Sequence, residues 1–307
     1  MDFYDIVKKY NYNEEETKVI KRIYDSYVGC FGKELESLIY NAFMDTKIYL
    51  KASVYETLKN NDMLDANGIV MEADLKRAAG VYNSLPIIKY ENGEYKIVEV
   101  KRVVVNNIAI KEWKSAATLV HEIGHLIKAY NNEFTIDGDI LITRSGLMES
   151  IYKLSVVDGK VNRKLIEERN VGLEEGLNSC LEEDIVKTYF DQSYQASGSG
   201  GVKACSRTLL NIDKLKQLIL QSQITKDFTK LIDYLGYDLF INISTTLDAV
   251  YKIDLDIFAN IFSPDKFQAC IDKRNELLKE FKPLLQDIKK LDEGDDLGAR
   301  NCWGWNS

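Results

Sequence analysis

The chain has 307 residues, 45% hydrophobic and 29% charged, with a formal net charge of −8. It is long enough for a real hydrophobic core, and its acidic balance speaks against nucleic acid or an anionic membrane as the main partner. No apolar run approaches the ~18 residues that a membrane span needs, and the opening MDFYDIVKKYNYNEEE turns polar too early for a secretory leader, so a cytoplasmic location is expected.

The first eighty residues read as helical. Asn13 followed by Glu16 has the spacing of a capping box, in which each side chain satisfies a backbone N–H at the helix start. Val19, Ile23 and Tyr27 then recur at helical spacing. Leu35, Leu38, Ile39, Ala42 and Phe43 mark a second helix, separated from the first by Gly29 and Gly32. Residues 60–68 are polar and read as a loop. The pattern changes near Gly80. Residues 86–90 and 95–105 are rich in β-branched side chains and flank Asn92-Gly93, a pair that suits a tight hairpin turn.

A helix is expected next, from about Lys111 to Tyr130, with Leu119, Ile123, Leu126 and Tyr130 on its apolar stripe. Short strands return at 140–143 and on both sides of Asp158-Gly159. A further helix begins near Gly172, and a Gly/Ser-rich loop at 196–201 breaks the chain. The remainder reads as helical. Ser263-Pro264 is a good helix start, and Pro283 is a candidate kink in the last helix. The tail carries Trp303 and Trp305. The organisation expected is a helical region over 1–80, a central core over 81–195, a helical lobe over 196–292 and a tail over 293–307. The fold class is α+β and mostly helical, with a small sheet before the motif helix. The five cysteines are scattered without a CxxC and fit a reducing compartment.

The residues that carry chemistry are His121-Glu122-Ile123-Gly124-His125. Residues four apart share a helix face, so both imidazoles can reach one metal ion. Zinc suits two imidazoles plus a carboxylate, with a position left for water, and Glu122 stands beside the first ligand as a general base. These are the only two histidines in the chain. The third ligand must therefore be acidic, and residues 172–179 offer Glu174 and Glu175 on the next helix. Helical geometry puts Glu174 nearer the stripe of Leu173, Leu177, Leu181 and Ile185. Glu175 shares a face with Ser179, Glu182 and Val186.

Here the sequence resembles the gluzincins, the thermolysin-like zinc peptidases, in which a HExxH helix is followed by a glutamate on a downstream helix, often within Gly-x-x-Asn-Glu. Gly172-Leu173-Glu174-Glu175 fits that pattern with Glu174 in the Asn place. The resemblance covers about residues 95–190. It implies a zincin-like core, one catalytic zinc ion held by His121, His125 and Glu175, and Glu122 as the base in hydrolysis of a peptide or protein substrate. The family commonly has an aspartate four residues after the ligand, where this chain has Ser179.

With both histidines committed to metal, the donor for the developing oxyanion must be another group. Tyr189 and Tyr194 rank first, followed by Arg207. A strand between Tyr95 and Asn106 is the expected partner for substrate backbone. Two other readings stand beside the peptidase: a zincin-fold regulatory or binding protein with little turnover, similar to the ImmA-like proteins, and a peptidase delivered into another cell.

Overall fold

The computed structural model describes residues 1–64, 72–107, 116–131, 133–190 and 200–292. The chain is mixed α and β, mostly helical, with two small sheets. It divides into two compact units. One comprises residues 1–145, 151–166 and 181–195, and the other 146–150, 167–180 and 196–307. The N-terminal helices and the hairpin share a unit. The expected helix start at 111–115, Tyr194 and the tryptophan-bearing tail lie outside the described residues. No helix among the described residues is long and apolar enough to cross a membrane.

In the first unit, helices α1 (Phe3–Tyr10) and α2 (Glu14–Phe31) start on side-chain caps. Asp2 accepts from the Tyr4 N–H at 2.9 Å, and Asn13 and Glu16 exchange reciprocal bonds of 3.0 Å. α2 buries Val19, Ile20, Ile23, Tyr24 and Tyr27 and stops at Gly32, whose φ of 90° a side chain would resist. α3 (Glu36–Met44) leads into strand β1 (Lys47–Leu50), and α4 (Val54–Asn60) and α5 (Glu72–Arg77) follow.

Strands β2 (Gly80–Glu91) and β3 (Glu94–Asn106) form the expected hairpin, closed at Asn92 and Gly93 with φ of 56° and 85°. β2 starts earlier than the apolar pattern suggested. β1 pairs parallel to the end of β3, giving the order β1-β3-β2. Val103 and Val105 pack with Val54, Leu58 and Met63. α6 (Ala116–Ala129) carries the histidine motif and buries Leu119, Val120, Ile123, Leu126 and Ile127. The buried Tyr27 hydroxyl donates to the Val120 carbonyl at 2.6 Å, which ties α6 to α2.

The second sheet runs in the order β4 (Phe134–Asp137), β5 (Ile140–Ser145), β6 (Met148–Val157) and β7 (Lys160–Arg169). α7 (Val171–Phe190) follows as one continuous helix.

The second unit contains the start of α7 and the helices α8 (Gly200–Leu210), α9 (Asp213–Thr225), α10 (Thr229–Leu235), α11 (Tyr237–Ala259) and α12 (Pro264–Asp292). Leu173 and Leu177 pack there with Val202, Leu209, Leu247 and Val250. α12 runs through Pro283 as a single helix.

Two aspartates on α11 hold the starts of neighbouring helices. Asp248 accepts from the Asn170 and Gly172 N–H groups at 3.1 and 2.7 Å. Asp254 accepts from the Gly201 and Val202 N–H groups, both at 3.0 Å, and pairs with Arg274 at 3.1 Å. Orphan N–H groups of a first turn favour such negative charge. At Gly172 an added Cβ would collide with the Leu247 carbonyl, so glycine is what lets α7 touch α11. Gly172→Ala is expected to lower stability by ~1–3 kcal/mol in denaturant unfolding, as overpacking does. An unchanged midpoint at unchanged slope would show that the helices separate without cost.

Candidate metal centre

Helix α6 presents His121 and His125 one turn apart. Their Nε2 atoms face each other at 3.0 Å, with ring centroids 4.7 Å apart and planes at 75°. On its far side the His121 ring meets Glu182 of α7, with Nδ1 and Oε2 3.0 Å apart. The Glu182 side chain is only 6% exposed. A carboxylate can only accept, so it fixes the proton on Nδ1 and leaves the Nε2 lone pair pointing at His125. The two Nε2 atoms are at hydrogen-bond distance, which a proton on His125 Nε2 satisfies in the neutral pair and which a cation between the rings would replace. A zinc ion about 2.0–2.1 Å from each nitrogen would hold them about 3.3 Å apart in tetrahedral geometry. The observed spacing is close to that demand.

Glu175 is two turns before Glu182 on the same helix. His121, His125 and Glu175 each offer a ligand atom, and these atoms lie within 4.8 Å of one another. Its neighbour Glu174 has a different task. Glu174 is fully buried, and its carboxylate accepts from the Leu147 N–H at 2.9 Å and from Gln223 Nε2 at 2.8 Å. Gly146, at φ 60°, passes so close that an added Cβ would strike the Glu174 carboxylate. The two glutamates differ in placement: Glu174 braces the loop before β6, and Glu175 offers a carboxylate oxygen near the two histidines.

Glu122 projects toward β2, the edge strand of its sheet. Its Oε2 accepts the Tyr82 N–H at 2.7 Å. The approach is close because Gly80 has no side chain. A Cβ there would lie 2.7 Å from Thr118 Cγ2 and 3.2 Å from Glu122 Cγ.

Tyr82 also anchors β2 through its hydroxyl, which donates to Glu133 at 2.7 Å. Glu133, 4% exposed, takes two further bonds from Arg102 Nε and Nη2, both at 2.9 Å. Burial pushes the Glu133 carboxyl above its ordinary value, and the Arg102 charge opposes that shift. Burial and the Glu133 charge hold the Tyr82 hydroxyl well above the ordinary tyrosine value, so it stays a neutral donor. The Arg102 guanidinium also lies over the Tyr130 ring at 5.2 Å.

Of the expected oxyanion donors, Tyr189 and Arg207 make contacts of their own. Tyr189 is two turns beyond Glu182, and its hydroxyl packs against Gly29 of α2. Its carbonyl accepts from Arg22 at 2.7 Å. Tyr194 lies outside the described residues. Arg207 donates to the Cys180 carbonyl at 3.0 Å. The substrate-pairing strand expected between Tyr95 and Asn106 needs correction where it nears the motif helix. Residues 103–106 are paired on both sides, and the sheet edge beside Glu122 belongs to β2.

Sequence reading did not assign Glu182 a role. The resemblance places such support at Ser179, four residues after Glu175, and the partner lies seven residues after it. Seven residues is two turns, so the signal was the shared helix face already noted.

These placements separate three acidic residues by experiment. Glu182→Ala is expected to weaken zinc binding by ~10–100-fold in a chelator competition, as loss of a histidine's carboxylate partner does. Glu175→Ala should lose zinc and keep its fold. Glu174→Ala should keep zinc stoichiometry and lose ~1–3 kcal/mol of stability, because it strands buried donors. The opposite pattern for Glu174 and Glu175 would reverse their assignment. Compared with protein-family models, with curated proteins and with solved structures, the chain finds no match in any of the three.

Proposed function

We propose that this chain is a zinc-dependent metallopeptidase of gluzincin type, with His121, His125 and Glu175 as the zinc ligands. The observation that carries the reading is the convergence of two Nε2 atoms at 3.0 Å with the Glu175 carboxylate in the same group. The donor set is two imidazoles and one carboxylate, which is what a catalytic zinc site uses when it keeps one position open. When bound, zinc supplies a Lewis acid and makes a water nucleophile available near neutral pH.

The chain's own residues divide the remaining work. Glu182 holds the His121 ring in one tautomer. Glu122 has one oxygen engaged by the Tyr82 N–H, which orients the carboxylate. In this scheme Glu122 takes the proton of the attacking water and delivers it to the departing amine as the C–N bond breaks. The edge of β2 beside Glu122 offers backbone groups to an extended peptide, which fits a peptide or protein substrate.

Glu122→Gln keeps the shape and removes the base. Turnover of a peptide library is expected to fall by about 100- to 10,000-fold with zinc still bound at one ion per chain. A chelator should abolish cleavage, and added zinc should restore it. Undiminished turnover in Glu122→Gln would remove that residue from the chemistry. A wild-type protein that holds zinc and cleaves nothing would instead support a regulatory or binding protein.

A further inference from the structure

Strand β7 is the outermost strand of its sheet, and eight of its ten residues are exposed. Leu165 and Ile166 in its middle are 40% and 56% exposed. A long exposed edge with apolar side chains is a template for pairing with another strand. The charges of β7 follow a pattern that suits one particular partner. Arg163-Lys164 precede the apolar pair and Glu167-Glu168 follow it. Reversed end to end, the segment presents anions where the original presents cations.

We propose that β7 pairs antiparallel with β7 of a second copy of this chain, about a two-fold axis at Leu165. Such an axis stands perpendicular to the sheet and keeps each face continuous. Only positions of the same parity can then lie opposite each other, because side chains alternate between faces. With Leu165 opposite itself, Arg163 of each copy faces Glu167 of the other. Asn162 faces Glu168, Val161 faces Arg169, and Lys164 faces Ile166. No like charges meet.

Neighbouring registers are worse. An axis at Lys164 sets two lysines against each other, one at Ile166 sets Arg163 against Arg169, and one at Glu167 sets two glutamates together. Like charges directly opposite are destabilising, so charge selects one register. Within the chain Glu167 already accepts two bonds from Arg169, at 2.7 and 2.6 Å, and Arg163 lies 5.9 Å over the Tyr152 ring. In the pair, Glu167 would bridge its own Arg169 and the Arg163 of the second copy. The interface is isologous and closes, so it gives dimers and not fibres. One strand edge is small for an interface, so the dissociation constant is expected on the order of micromolar.

Sedimentation equilibrium from ~1 to ~100 µM tests this, spanning that expected constant. The wild-type average mass should rise with concentration towards that of a dimer across the range. Arg163→Glu carries anions at both paired positions, and Glu167→Arg carries cations at both. Each alone should remain monomeric, with dimerisation weakened tenfold or more. An equal mixture of the two should dimerise, because each then meets its complement, and the double variant should dimerise like the wild type. Recovery in the mixture also excludes misfolding as the cause of the single-variant losses. A wild-type chain that stays monomeric, single variants that dimerise normally, or a mixture that stays monomeric would each overturn the proposal. None of these outcomes depends on zinc.

Discussion

Two imidazole nitrogens at 3.0 Å set the terms for everything around them. A neutral pair in which His125 Nε2–H donates to His121 satisfies that spacing, and a shared cation would too. Helical spacing brings them together at residues 121 and 125, and Glu182 prevents His121 from turning. The ring cannot rotate without giving up a hydrogen bond to a carboxylate that is itself almost wholly buried. The pair is therefore held in one arrangement.

The rest of the frame fixes where that pair points. The Tyr27 hydroxyl holds the α6 backbone at Val120, beside His121. Gly80 and Tyr82 bring the β2 edge against Glu122, and the Glu133–Arg102 pair locks the strand in place from the other side of the tyrosine. Buried ion pairs of this kind are a poor source of stability, because desolvation offsets much of the attraction. Their value here is positional. Glu133 takes bonds from a β2 tyrosine and a β3 arginine, and so fixes the hairpin beside the motif helix.

Much of the local structure was legible in the residues. The Asn13–Glu16 box, the Asn92-Gly93 turn, the Ser263-Pro264 start and the helix around His121 all follow from short-range chemistry that leaves a signature in a few adjacent positions. The histidine pair belongs to the same class. The different placements of Glu174 and Glu175 do not. Glu174 and Glu175 are adjacent, and what separates them is the distant partners of Glu174, Leu147 and Gln223. Glu182 was half visible, through its shared face with Glu175, and hidden by an expectation that support would come one turn away. The Tyr82 N–H was not readable at all, since every residue but proline has such a group and only tertiary packing decides which one meets a carboxylate. Proximity in sequence suggests Tyr189, and its hydroxyl lies against Gly29 of α2.

The central claim concerns what lies between the two rings, and zinc X-ray absorption on purified protein addresses it directly. One zinc per chain is expected, with scattering from two imidazoles and from oxygen at about 2.0–2.1 Å. Protein that takes up no zinc, or zinc with sulfur neighbours at about 2.3 Å, would contradict it.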